Sequence, residues 1–173
     1  SNPADITTAA VVEESHLDPK RVIGSGTSLD TARFRYWLSD ALQVSVEDID
    51  AYVLGEHGDS QVPVFSSATV AGIPLEEYAR QTDVVLERES IAERTRFGGA
   101  EVIKLKGATF YGVAMAVSTI VETICHNSGG ILPVAHVLDE SFGEWAGVTM
   151  SLPCRVGGEG IEQTLRISMN AEE

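Results

Sequence analysis

Residues 148–169 read "VTMSLPCRVGGEGIEQTLRISM", and this stretch decides the fold class. Apolar and polar residues alternate on either side of "GGEG" at 157–160, and that glycine cluster marks a hairpin turn between two strands. A third apolar run, "ILPVAHVL" at 131–138, precedes them, so the tail reads as an antiparallel meander. Upstream, the period changes. "TSLDTARFRYWLSDAL" at 27–42 places Leu29, Ala32, Phe34, Leu38 and Leu42 largely on one helical stripe, with Thr27 or Ser28 as the cap. "DIDAYVLGEHG" and "QVPVFSSATVAG" predict two strands around a tight connection. "TDVVLERESIAERTRFGGAEVIKLKG" predicts a charged helix bent at Gly98 and Gly99, followed by a buried apolar helix over about 109–126. Helices first and a meander last give an α+β fold, helices packed on an antiparallel or mixed sheet, in one domain spanning residues 1–173.

Composition excludes several partner classes. Twelve basic residues against twenty-six acidic ones leave a formal charge of −14, which repels nucleic acid and anionic membrane surfaces. The longest apolar run, "YGVAMAVSTIVETI", is interrupted by Ser118, Thr119 and Glu122, so it predicts a core helix and not a membrane span. Cys125 and Cys154 both lie in apolar runs and are expected as free, buried thiols. No glycine-rich phosphate loop is present: "GSG" at 24–26 has neither the third glycine nor the strand-to-helix setting.

Both ends carry helix-start signals. Asn2 is placed as an N-cap, with Pro3 at the first helical position and Asp5 in the first turn of a helix over about 3–15. Asn170 and Glu173 have the spacing of a capping box. A helix start at the last residues suggests a piece of a longer chain.

Two clusters have chemical potential. His57 sits in "GEHGDS" at 55–60, where Gly55 and Gly58 permit sharp turns and close approach, and where Glu56 and Asp59 are unusual for a strand end. A single histidine is also an ordinary packing residue. The adjacent acids cannot converge on one ion with it, and no other histidine has ligand spacing, so no metal site is expected. Asp30 and Arg33, three apart on one helix, share a face. On a surface such a pair contributes about 0.2–0.5 kcal/mol; beside a glycine-rich turn it also offers an acid to orient a histidine and a fork to grip a carboxylate.

Four segments, "SNPADI", "GSGTSLDTARFR", "GEHGDS" and "KLKGATFYG", in this order and at these separations, closely resemble the L-lactate dehydrogenase branch of the lactate/malate dehydrogenase family. The resemblance implies the C-terminal, substrate-binding half of such an enzyme. Residues 1–20 then resemble the segment linking to an NAD-binding Rossmann domain absent from this chain, and the final helix is absent too. It implies NAD as cofactor, a small 2-oxo or 2-hydroxy acid as substrate, cytoplasmic location and a homo-oligomer, dimer or tetramer. Residue by residue, His57 matches the acid/base histidine, Asp30 its orienting carboxylate and Arg33 the substrate-carboxylate clamp. Asn2 matches a residue beside substrate and nicotinamide ribose, Thr109 lines the substrate pocket, and Val113 faces the nicotinamide. Bacterial members activated by fructose 1,6-bisphosphate use an arginine and a histidine. Arg35 matches that arginine, but Asp50 stands in the histidine's place and repels phosphate.

Lactate-like malate dehydrogenase and L-2-hydroxyisocaproate dehydrogenase are the rival activities within this resemblance. A hydrolase using Ser25 or Ser28 with His57 and Asp30 is another class, although "GSGTS" is not the G-x-S-x-G nucleophile elbow. A third reading is a non-catalytic fragment.

Overall fold

The computed structural model describes residues 2–171 and 173. Its residues separate into two compact units, Ser1–Leu29 with Leu54–Gln61 and Phe110–Arg166, and Asp30–Val53 with Val62–Thr109 and Ile167–Glu173. The fold is α+β, as the alternation and helical stripes predict.

In the first unit, strands β4 (Gly130–Val137), β5 (Thr149–Gly157) and β6 (Gly160–Thr164) form an antiparallel sheet in that order. Gly157 pairs with Gly160, leaving Gly158 and Glu159 as the two-residue turn foreseen in "GGEG". Gly160 has φ +102°, a conformation in which a side chain is strained. Val134, Cys154, Val156 and Ile161 form this unit's core with Ile120, and Ile23, Ile124 and Leu132 pack around them. Helix α1 (Ala4–Ser15) rests on β4 and β5, and α5 (Tyr111–Cys125) on β5.

Helix α5 corrects the expectation of a buried apolar helix. Only Ile120 and Thr123 are buried, while Tyr111, Met115 and Val121 are exposed. Within this unit the sheet meets one side of its C-terminal half, and apolar sequence alone does not say how many sides are covered. For the same reason Cys125, at its end, is exposed; Cys154 is buried as expected.

The second unit packs β1 (Ile49–Leu54), β2 (Val62–Val70) and the short β3 (Ile73–Pro74) as one sheet. Its helices are α2 (Ser28–Leu42), α3 (Leu75–Gln81) and α4 (Arg88–Lys106). Phe34, Leu38 and Leu42, all on the predicted stripe of α2, meet Ile49, Ala51, Val53, Phe65, Leu75 and Ile91 in the core. The Phe34 and Phe65 rings meet edge to face at 4.8 Å. Helix α4 runs unbroken through Gly98 and Gly99. Each glycine nevertheless costs that helix about 1 kcal/mol relative to alanine, a cost that calls for a reason.

The caps differ from expectation at one end and match at the other. Helix α1 begins at Ala4 with Pro3 in the cap position and no side-chain cap bond; Asn2 is exposed. The Pro3 carbonyl accepts instead from the Thr7 amide and hydroxyl. At the other end Asn170 N–H donates to Glu173 Oε2 and Glu173 N–H to Asn170 Oδ1, both at 3.1 Å, the reciprocal bonds of a capping box.

Candidate functional site

In the second unit the opening turns of α2 place the acid and the arginine. Thr31, buried, accepts the Val53 amide on its hydroxyl at 2.9 Å, fixing the helix against β1. Phe34 is fully buried one turn on. With those two anchored, Asp30 points inward and its carboxylate accepts a hydrogen bond from Arg33 Nη1 at 2.9 Å. Asp30 is 1% exposed and the Arg33 side chain 18%. This is therefore not the solvated surface pair of the blander reading. A carboxylate this sheltered must be met by charge or hydrogen bonds, and the guanidinium supplies both. Thr109, half-buried, follows Gly107, which ends α4 in the left-handed conformation at φ +84°.

In the first unit the hexapeptide 55–60 is pinned at several points. Gly55 forms an isolated antiparallel bridge with Ser151 of β5, its amide donating to the Ser151 carbonyl at 2.9 Å and its carbonyl accepting from the Ser151 amide at 2.8 Å. Its φ of +86° is a conformation glycine adopts freely. The His57 amide donates to Asp5 Oδ2 of α1 at 2.9 Å. The carboxylate of Glu56 accepts from the Ser60 hydroxyl and lies over Gly58, where a Cβ would meet it at 2.9 Å. Glu56 thus staples the loop, which gives one of the two unexplained acids a task; Asp59 is exposed. His57 itself is half-buried, so its ring can reach both protein and solvent. Asn2 is exposed in this unit, and Val113, in the first turn of α5, is 42% exposed.

Two residues that sequence reasoning passed over hold this loop. In sequence Asp5 is a first-turn helix acid; in the fold its carboxylate accepts the His57 amide and fixes that backbone. Ser151, fully buried, accepts the Thr27 amide on its hydroxyl at 3.0 Å while its backbone pairs with Gly55. A serine in the middle of an apolar strand was the signal available for it.

Arg35 is committed elsewhere: Nε donates to the Ala51 carbonyl at 2.9 Å and the guanidinium lies over the Tyr52 ring, 5.2 Å from its centroid. Asp50 is exposed. The Ser28 hydroxyl donates to the Pro133 carbonyl at 3.0 Å, which does not suit a nucleophile. His136 is buried within the β4–β6 sheet, Nε2 at 2.9 Å from Thr164 Oγ1 and Nδ1 at 3.7 Å from Cys154 Sγ. Burial lowers its pKa from the ordinary histidine value, partly opposed by a Val134 backbone hydrogen bond and the Asp139 charge. Burial likewise pushes the Cys154 thiol up to about 12, against a smaller lowering by Thr164. Among the described residues no group of three His, Cys, Asp or Glu side chains could hold a metal ion, and no helix is long and apolar enough to cross a membrane.

Residues 27–173 match the model of the lactate/malate dehydrogenase alpha/beta C-terminal domain. The chain is 43% identical over 176 residues to an L-lactate dehydrogenase of Acetivibrio thermocellus, covering 100% of this chain and 55% of that protein. It is 44% identical over 176 residues to an L-lactate dehydrogenase of Moorella thermoacetica, covering 100% of this chain and 56% of that protein. Among solved structures, a lactate dehydrogenase enzyme from a Medee basin deep-sea metagenome library superposes with a TM-score of 0.95 at 34% identity, over 99% of this chain and 55% of that one. L-lactate dehydrogenase from Clostridium thermocellum does so with a TM-score of 0.87 at 42% identity, over 99% and 56%. The chain spans about 55% of the length of these relatives.

Proposed function

The chain belongs to the lactate/malate dehydrogenase family through its C-terminal domain, and from that premise we propose that the whole protein is an NAD-dependent L-lactate dehydrogenase interconverting pyruvate and L-lactate. The observation that carries this reading is the sheltered Asp30 carboxylate bonded to Arg33 at the head of α2, an acid and a fork-shaped cation fixed together. Relatives at 43% and 44% identity named L-lactate dehydrogenase support pyruvate over the malate and hydroxyisocaproate alternatives.

Little of an NAD site belongs to this chain, and what does is compatible with the cofactor. Val113 offers a partly exposed aliphatic surface suited to the face of a nicotinamide ring, and exposed Asn2 offers an amide to its ribose. When bound, NADH supplies the hydride for carbonyl reduction. His57, protonated, gives its proton to the pyruvate carbonyl oxygen as the carbon is reduced, and takes it back from the lactate hydroxyl in reverse. Asp30 orients the imidazole and stabilises its charged form. Arg33 holds the substrate carboxylate through its planar fork, countering the overall negative charge that otherwise repels an anionic substrate. Thr109 lines the substrate pocket. The family likeness supports assembly of the whole protein as a homo-oligomer, dimer or tetramer. The family likeness supports a cytoplasmic location, and the net negative charge argues against nucleic-acid or anionic-membrane partners.

The test is a pair of substitutions in the full-length protein. His57→Asn is expected to lower turnover by roughly 10²- to 10⁴-fold, whereas Arg33→Lys chiefly raises the pyruvate KM with NADH affinity kept. Near-normal turnover in His57→Asn sinks the acid/base assignment. Reduction of oxaloacetate or 2-oxoisocaproate faster than pyruvate moves the activity to one of the sister enzymes.

A further inference from the structure

We propose that Gly98 and Gly99 are positioning residues for Arg33: by lacking side chains they let the guanidinium lie along α4, and a Cβ at Gly99 displaces it and weakens capture of the substrate carboxylate. The inference rests on the reading of Arg33 as the carboxylate clamp.

Two consecutive glycines in the middle of a 19-residue helix have no conformational reason to be there. Both are helical and neither has a positive φ. Alanine suits that backbone better. What distinguishes the two positions is their neighbour. A Cβ built on Gly98 stands 3.2 Å from Arg33 Cδ and 3.4 Å from Nε. One built on Gly99 stands 3.2 Å from Nη2, 3.6 Å from Nη1 and 3.7 Å from Cζ. The pair therefore follows the side chain from its stem to the tip of the fork. Other helical residues cannot approach a backbone in this way, because their own Cβ atoms hold neighbours off.

The guanidinium is also held by Asp30, at 2.9 Å from Nη1. A methyl group at Gly99 pushes on Nη2, so the fork must tilt or stretch its bond to Asp30. Either response moves the donors that meet a substrate carboxylate by a few tenths of an ångström. Bidentate recognition depends on both donors being in register, so a small tilt is felt in substrate affinity. At Gly98 the push falls on the stem, which has rotatable bonds to absorb it. The two positions should therefore differ, with Gly99 the more sensitive.

The experiment is a double-substitution cycle in the full-length enzyme, reading pyruvate KM, turnover, NADH affinity and thermal midpoint for Gly99→Ala, Arg33→Lys and the two combined. Gly99→Ala is expected to raise pyruvate KM roughly 5- to 10-fold, a fraction of what a full ångström of misplacement can cost. NADH affinity should hold, and the thermal midpoint should hold or rise. In the Arg33→Lys background the same substitution should change KM by less than about 2-fold, because a compact ammonium leaves no fork to tilt. An equal KM effect in both backgrounds overturns the inference, since glycine then acts independently of Arg33. So does an unchanged KM for Gly99→Ala while Arg33→Lys raises it. If Arg33→Lys leaves pyruvate KM unchanged, the clamp reading fails first and the inference with it.

Discussion

Replacing Asp30 separates its structural from its chemical work. The carboxylate is 1% exposed and bonded to a guanidinium whose side chain is 18% exposed. Breaking a fully buried pair costs about 3–5 kcal/mol, but the arginine here keeps some access to water, which recovers part of its solvation. Asp30→Ala is therefore expected to lose about 1.5–3 kcal/mol, the range for a charge-assisted hydrogen bond. Asp30→Asn keeps an oxygen acceptor for Nη1 and should lose about 1 kcal/mol. Turnover is expected to follow a different order. Both variants remove the negative charge that stabilises an imidazolium, so both should fall by roughly 10²- to 10⁴-fold in the full-length enzyme. The assay pairs thermal midpoints with steady-state pyruvate reduction. Asp30→Asn with wild-type turnover refutes the reasoning, since the carboxylate would then be a packing group alone.

Fructose 1,6-bisphosphate should change pyruvate reduction by less than about 2-fold, because Arg35 is engaged with Ala51 and Tyr52 and Asp50 repels phosphate; several-fold activation in a titration contradicts this. His136 makes a pH prediction. Burial holds its folded pKa below the ordinary histidine value of 6.5, so the unfolded chain binds more protons and stability falls as pH drops below about 6.5. His136→Gln should make the thermal midpoint less sensitive to acid over that interval, and an unchanged slope argues against it.

The hairpin at 157–160 and the capping box at 170–173 were legible because each is written in a few adjacent residues with a fixed spacing. The face joining Asp30 to Arg33 was legible for the same reason, since helical geometry alone puts residues three apart together. What was not legible depends on neighbours far away in sequence. Gly98 and Gly99 look like a bend until Arg33 lies against them. Asp5 looks like a helix-end acid until the His57 amide meets it, 52 positions on. The exposure of α5 has a similar origin, because an apolar helix does not record which surface covers it. Helix α3 and strand β3 escaped notice through brevity: seven and two residues are too few for a period to show.

The unequal setting of the two cysteines has a practical use. Cys154 is enclosed and its thiol is held in the unreactive protonated form, with its pKa raised to about 12, while Cys125 stands exposed at the end of α5. In this chain a maleimide or nitroxide reagent should therefore mark one position without any engineering, because thiol labelling requires both a thiolate and access to it. A reporter there would sit beside the apolar flank of α5 and register, by its own mobility or fluorescence, when another surface closes over that flank.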